Sequence, residues 1–288
     1  MSTAVMTDTN SGMTKEEASD LGIFLLPMPI IIEDQIYYEG ENLSSSEFYE
    51  FLISGKKVTT SQPSPGDVIA MWDHIFSQGY DDLVFIPMSS GLSNTCQTAI
   101  SLAADYEGRV QVIDNHRISV PMWESIINAL QLAGDGADAK TIKKILEEDA
   151  YQNSIYIIVD TLEYLKKGGR ITPAAAAFGS VLNIKPILSI QGSKLDAYAK
   201  VRGLRKGKAQ MIAALEKDLN TRFAGIPKEK LHLATAGSCL SDQEAENWRQ
   251  TVSEAFPQYA PAVYRPLSFS ICCHTGPGAY GIGVTALR

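Results

Sequence analysis

Strand-like apolar runs alternate with helix-start signals through the first half of the chain, and that alternation most restricts how it can fold. Asp82-Leu-Val-Phe-Ile-Pro87, Arg109-Val-Gln-Val-Ile-Asp114 and Ser154-Ile-Tyr-Ile-Ile-Val-Asp160 each read as a short buried strand. Between the runs, Ser44 with Glu47 spells a capping box, and Gly55 stands where that helix would stop. Ser64 followed by Pro65 is an N-cap and first-turn pair, with Gly79 as terminator. Such alternation predicts a mostly parallel sheet covered by helices.

Beyond about residue 160 the pattern changes. Residues 185–201 read as a hairpin, a long helix is expected from Gly203 to Phe223, and another from Ser241 to Ala255. Strands are expected at 230–236, 261–266 and 280–287. The fold class is therefore two α/β domains, the first with a mostly parallel sheet and the second with a mixed one. A length of 288 residues suits two domains. The division falls at 1–160, carrying the Thr60 turn and Ser93 loop, and 161–288, carrying Arg170 and the His274 segment.

The charge balance narrows the partners. A net charge of −8 argues against nucleic acid, which is bound through excess Lys and Arg, and against constitutive attachment to an anionic membrane. Cys96, Cys239, Cys272 and Cys273 fit no zinc spacing and read as free thiols of a reducing cytoplasm. The apolar stretch from Leu21 to Ile32 is interrupted by Pro27 and Pro29 and is too short to span a bilayer. No secretory pattern opens the chain, so a cytoplasmic location is expected.

Four segments hold candidate chemistry. Val58-Thr-Thr-Ser-Gln-Pro-Ser-Pro65 gathers hydroxyls before a helix; capping accounts for Ser64 but not for Thr59, Thr60 or Ser61. Pro87-Met-Ser-Ser-Gly-Leu-Ser-Asn-Thr95 follows a strand and precedes a helix, where open α/β sheets bind ligands and helix N–H groups favour an anion. Asp160-Thr-Leu-Glu-Tyr-Leu-Lys-Lys-Gly-Gly-Arg-Ile171 places three cations around a Gly–Gly bend, which by itself reads as a solvated helix end. His274-Thr-Gly-Pro-Gly-Ala-Tyr-Gly-Ile-Gly283 sets a histidine among glycines that permit close approach, without spelling a dinucleotide or phosphate-loop motif.

Taken in order, Thr7-Asp-Thr-Asn-Ser11, Thr60-Ser-Gln-Pro-Ser64, Ser89-Ser-Gly-Leu-Ser93, Leu165-Lys-Lys-Gly-Gly-Arg-Ile-Thr172 and His274-Thr-Gly-Pro-Gly-Ala279 resemble the signatures of the DegV family of bacterial fatty-acid-binding proteins. The resemblance covers nearly the whole chain and is loosest at the N-terminal turn. It implies a lipid tunnel with a carboxylate site between two lobes, and a role as the binding subunit of a bacterial fatty acid kinase. That separate enzyme would turn the bound acid into an acyl phosphate for phospholipid synthesis. By motif position Ser93 is the main hydroxyl donor to the carboxylate, Thr60 or Ser61 the second, with the Asn94 N–H and His274 completing the set. Arg170 and Arg202 would meet the kinase or the phosphorylated head group. No cofactor or metal is expected, the ligand being the long-chain fatty acid itself, and membrane contact is expected only in passing, for lipid exchange.

The physics of such a ligand is unequal at its two ends. Burying a sixteen-carbon tail supplies at most ~12 kcal/mol, and a head-group hydrogen bond roughly 1.5–3 kcal/mol. Candidate tail contacts are Ile23, Phe24, Leu26, Ile30, Ala176 and Phe178, each of which also reads as ordinary core. The alternative function is a serine hydrolase using Ser93 or Ser90 with His274. Against it, no G-x-S-x-G elbow is present and no carboxylate stands out to orient the base. A nucleotide binder would need a phosphate-loop lysine after the glycines, and none follows.

Overall fold

The computed structural model describes residues 2–177, 184–191 and 194–287. The chain divides into two α/β units: one comprises residues up to Phe48 together with Lys57–Tyr151, the other Tyr49–Lys56 together with the chain from Gln152 onward.

In the first unit the strands are β1 (Thr3–Asp8), β2 (Phe24–Leu26), β3 (Ile30–Ile32), β4 (Gln35–Tyr37), β5 (Val58–Thr60), β6 (Asp82–Ile86) and β7 (Val110–Val112). Four of them form an all-parallel sheet in the order β2-β1-β6-β7. Its apolar side chains pack with the helix Pro65–Ser77 around Trp72, Ile75, Phe85, Leu83 and Met6, all fully buried. That helix starts where local chemistry says it should. Ser64 Oγ accepts from Asp67 N at 3.1 Å, Asp67 Oδ2 accepts from Ser64 N at 3.2 Å, and Pro65 occupies the first turn. The Ser44–Glu47 box forms likewise before the helix Ser45–Ile53.

The remaining three strands make a small antiparallel sheet, β4-β3-β5. Glu33 and Asp34 join β3 to β4 with φ of 47° and 70°, the two positive values that a tight twisted hairpin turn requires. Val58–Thr60 differs from its expected reading as turn: three β-branched residues in a row pair with Ile30–Ile32 as an edge strand.

In the second unit, β8 (Asn153–Ile158), β9 (Ile184–Ile190), β10 (Asp196–Arg202), β11 (Leu231–Gly237), β12 (Val263–Pro266) and β13 (Tyr280–Ala286) form a mixed sheet, ordered β10-β9-β8-β13-β11-β12. Among the described residues, β11 and β12 run parallel and the other strand pairings of this sheet are antiparallel. The expected hairpin at 185–201 is β9–β10. The apolar run at 154–160, grouped by pattern with the first half, pairs instead with β9 and β13. A strand apolar on both faces carries no mark of which sheet it will join. The helices Leu204–Asn220 and Asp242–Ala255 supply Met211, Leu215 and Trp248 to the core, and Trp248 donates to the Gly281 carbonyl at 2.8 Å. Two α/β domains, the first with an all-parallel main sheet beside a small antiparallel one and the second with a mixed sheet, are thus the observed architecture.

Candidate functional site

The parallel sheet delivers its polar residues at the carboxyl ends of adjacent strands. Strand β1 ends at Asp8, β6 runs into Ser89, and β7 runs into Asp114 and Asn115, so three loops meet where open α/β sheets hold ligands. The loop after β6 is held from below on several sides. Ser89, fully buried, donates its N–H to the Arg117 carbonyl at 2.9 Å, and Ser90 N donates to Asp114 Oδ1 at 3.2 Å. The Ser89 carbonyl in turn accepts from Leu92 N and Ser93 N, which curls the loop back on itself.

Ser93 sits at the head of the helix Thr95–Ala103. Its Oγ accepts from Thr95 N at 3.2 Å and lies 2.8 Å from Thr95 Oγ1. Either hydroxyl of that pair can donate to the other; when Thr95 Oγ1 is the donor, the Ser93 hydroxyl hydrogen is left for an anion. Asn94 is exposed and makes no side-chain cap, so its backbone is the part that shapes this helix start.

Thr60, half-buried, ends β5 opposite Ile30. Ser61 N donates to the Pro29 carbonyl at 3.2 Å while Ser61 Oγ donates to the Gln62 carbonyl at 3.0 Å, so the Ser61 hydroxyl proton is already engaged. A hydrogen bond from Thr98 Oγ1 to Gln62 Oε1, 3.3 Å long, ties this turn to the helix that Ser93 begins. The two hydroxyl segments of the first unit are thus joined.

Two charged residues at the same sheet end were not named as site residues from the sequence: Asp8, present there only as part of the Thr7–Ser11 turn, and Arg117. Asp8 is wholly buried; its Oδ1 accepts from Asn10 N and Nδ2 at 2.9 and 2.8 Å, and its Oδ2 from Met88 N at 2.9 Å. Burial pushes its carboxyl up to about 6 against the opposing pull of those three N–H donors. Arg117, 2% exposed, donates to Ser125 Oγ and the Asp149 carbonyl; burial lowers it to about 10, opposed by Asp149 and Glu124. Asp8 is the last residue of β1 and Arg117 lies in the loop beyond β7, so no shared local signal marked them.

The other predicted residues lie in the second unit. His274 belongs to the short helix Phe269–Thr275, and Arg170 follows the helix Glu163–Gly168. A Cβ at Gly168 would overlap the His274 ring, so the two helices meet this closely only because residue 168 is glycine. Arg170 donates to the Gly168 carbonyl. Burial first, and the Arg170 charge second, push the His274 imidazole down to about 4. At neutral pH it is therefore an uncharged ring beside a cation. The glycine-rich stretch after it is strapped by Ser238, which the sequence reading also missed. Ser238 Oγ donates to the Gly276 carbonyl at 2.5 Å and accepts from Ala279 N at 3.0 Å. Gly276, at φ 72°, leaves room for the Tyr164 ring, which an added Cβ would meet at 2.5 Å. Arg202 ends β10, exposed, and no hydrogen bond or ion pair joins it to His274 or Arg170 among the described residues.

Of the tail candidates, Leu26 lies inside the first unit's core cluster and Ile30 and Ile23 are buried. Phe24 packs edge-on against His74 and Tyr80, and with Ile23 and Met71 it lines a surface hollow of 480 Å³. Ala176 ends the short helix Pro173–Ala176, whose N-cap Thr172 also donates to Asp196 Oδ1 at 2.6 Å. Phe178 lies outside the described residues. Among the described residues, no cluster of His, Cys, Asp and Glu has the makings of a metal site, and no helix is long and apolar enough to cross a membrane.

Comparison with known proteins places this arrangement. A DegV domain-containing protein of Streptomyces coelicolor is 30% identical over 287 residues, covering 98% of each chain. Among solved structures, a DegV family protein from Thermus thermophilus, described by its fatty acid binding, superposes over the full length of both chains with a TM-score of 0.88 and 28% identity. DegV from Bacillus subtilis, described as a fatty acid binding protein, also covers both chains fully, with a TM-score of 0.83 and 26% identity. The DegV family profile matches residues 2–287, so the likeness runs through all the sheets described and all four candidate segments, and the chain belongs to the DegV family.

Proposed function

We propose that this chain binds one long-chain fatty acid, receives its carboxylate on uncharged donors, and presents it to a separate fatty acid kinase for conversion to an acyl phosphate. The observation that carries the first part is the full-length likeness to the Thermus thermophilus protein and its fatty acid binding. The donor chemistry supports it from within this chain. Ser93 Oγ accepts from Thr95 N and shares a hydroxyl pair with Thr95 Oγ1 in which Thr95 can take the donor role and release the Ser93 proton, and His274 is held neutral by burial. The carboxylate set is Ser93, Thr60 with Ser61 as the weaker neighbour, the Asn94 N–H and His274.

Neutral donors suit a carrier. A cation buried against the carboxylate would cost desolvation and hold the product, whereas hydroxyl and N–H groups accept a carboxylate or an acyl phosphate alike. Arg170 and Arg202 are assigned to the kinase or the phosphorylated head group. The tail supplies most of the affinity and the head group the orientation. The same reading gives the protein a cytoplasmic setting and brief membrane contact during lipid exchange. Its rival, a Ser93–His274 hydrolase, asks for a base that accepts a proton near neutral pH. An imidazole pushed to about 4 beside Arg170 is a poor one.

Native mass spectrometry of the purified protein, followed by identification of the extracted lipid, tests the binding. One fatty acid per chain is the expected result; protein that carries no fatty acid and takes none from vesicles would overturn it. For the partnership, Arg170→Ala should lose phosphorylation by the kinase while keeping fatty acid. Equal loss of both would make Arg170 a structural residue instead.

A further inference from the structure

We propose that the buried turn Asp8–Ser11 is the positioning element for both hydroxyl segments of the first unit, and that Asp8 and Thr9 are its two working residues. This rests on the fatty-acid reading above and gives that reading its geometry. Asp8 spends one carboxylate oxygen on its own turn, through Asn10 N and Nδ2, and the other on Met88 N. Met88 directly precedes Ser89, whose carbonyl holds Ser93 N. One arm therefore runs from Asp8 through Met88 and Ser89 to the Ser93 hydroxyl. The second arm starts one residue later. Thr9 Oγ1 accepts from Met28 N at 3.2 Å, and the next carbonyl, Pro29 O, accepts from Ser61 N beside Thr60.

Each arm crosses a long stretch of sequence, since Asp8 and Met88 are 80 residues apart and Thr9 and Met28 are 19. The turn has no route to solvent that would relax it: Asp8 and Ser11 are fully buried, Asn10 is 1% exposed and Thr9 6%. A carboxylate so placed is costly unless its lone pairs are used, and here both oxygens accept. The turn is also closed on itself, by Ser11 Oγ donating to the Asp8 carbonyl at 3.0 Å. Four consecutive residues thus set the spacing between the Ser89–Ser93 loop and the Thr60–Ser61 turn without touching the ligand.

Asp8→Asn keeps the side-chain shape but turns one acceptor into a donor, so it faces either Met88 N or the Asn10 donors and one connection must break. Thr9→Val keeps shape too and removes only the acceptor for Met28 N. The test uses the full chain loaded with palmitate carrying ¹³C at the carboxyl carbon, observed by NMR beside Ser93→Ala. Asp8→Asn should move the bound carboxyl resonance in the same sense as Ser93→Ala, and Thr9→Val should move it independently. Release of the fatty acid to vesicles should speed up by about threefold or more in each, a smaller change than the roughly tenfold expected when a ligand hydrogen bond is deleted outright. Variants that melt earlier yet keep the parent's resonance and release rate would overturn the proposal, leaving the turn a fold element only. Should Asp8→Asn not fold, Thr9→Val decides alone. No bound resonance in the parent would overturn the fatty-acid reading itself, a failure visible before any variant is made.

Discussion

Burial acts on a titratable group in each unit, and the two outcomes differ. In the first unit it raises the Asp8 carboxyl to about 6; in the second it lowers the His274 imidazole to about 4. Both shifts favour the neutral form, as desolvation must. The difference lies in what surrounds each group. Asp8 is met by three N–H donors that pull back toward the carboxylate, so at neutral pH it remains an acceptor that can organise backbone. The charge beside His274 is Arg170, which pushes the same way as burial, so the ring becomes a firmly neutral surface. One region keeps a charge and saturates it; the other removes the charge.

The largest effect that could break this contrast is on stability. Folded Asp8 holds its proton more tightly than the unfolded chain, whose value is 3.8. Its contribution is therefore full below about pH 4, falls as pH rises to about 6, and is level above. Parent minus Asp8→Asn, measured by urea unfolding, should fall by on the order of 2–3 kcal/mol between pH 4 and pH 7. A pH-independent difference would show that Asp8 is not the buried acid described. Somewhat smaller is the effect of Gly168→Ala, whose added methyl must displace the His274 ring. Overpacking of this kind costs about 1–3 kcal/mol, and the His274 ring resonances should shift with it; an unchanged melt and spectrum would remove the close packing that keeps the ring dry.

How much of this could be read in advance follows from the range of each interaction. Helix starts were legible at Ser64–Pro65 and Ser44–Glu47 because a cap and its partner stand three residues apart. The hairpin β9–β10 and the hydroxyl loop after β6 were legible for the same local reason. The sheet membership of β8 was not, because its partners β9 and β13 are chosen by packing rather than by its own residues. Nor was the role of Asp8: the Thr7–Ser11 turn resembles a family signature, but the bond from Met88, which arrives from the next strand over, is not written in it. Arg117 and Ser238 were hidden in the same way, each acting through backbone atoms contributed by distant segments. Gly168 read as part of the bend at a solvated helix end, and only the His274 ring explains why no side chain is admitted there.

The smallest effect is the share of the His274 titration that Arg170 controls. Its folded value lies below the usual 6.5, so the stability it lends is present above about 6.5 and lost as pH falls toward 4. The ring signals should stay constant from pH 5 to pH 8. In Arg170→Gln the midpoint should rise slightly, since the cation is the lesser of the two causes. A midpoint near 6.5 in the parent would mean that the ring is wet and charged in acid, and the contrast between the units would collapse.

The most direct test of the account as a whole is a calorimetric titration of the delipidated protein with a long-chain fatty acid, run beside the long-chain alcohol of equal length. The account predicts saturation at one fatty acid per chain, with the alcohol binding more weakly because it offers no carboxylate to Ser93, Thr60 and His274. Absence of saturable fatty-acid binding, or equal affinity for the two ligands, would contradict it.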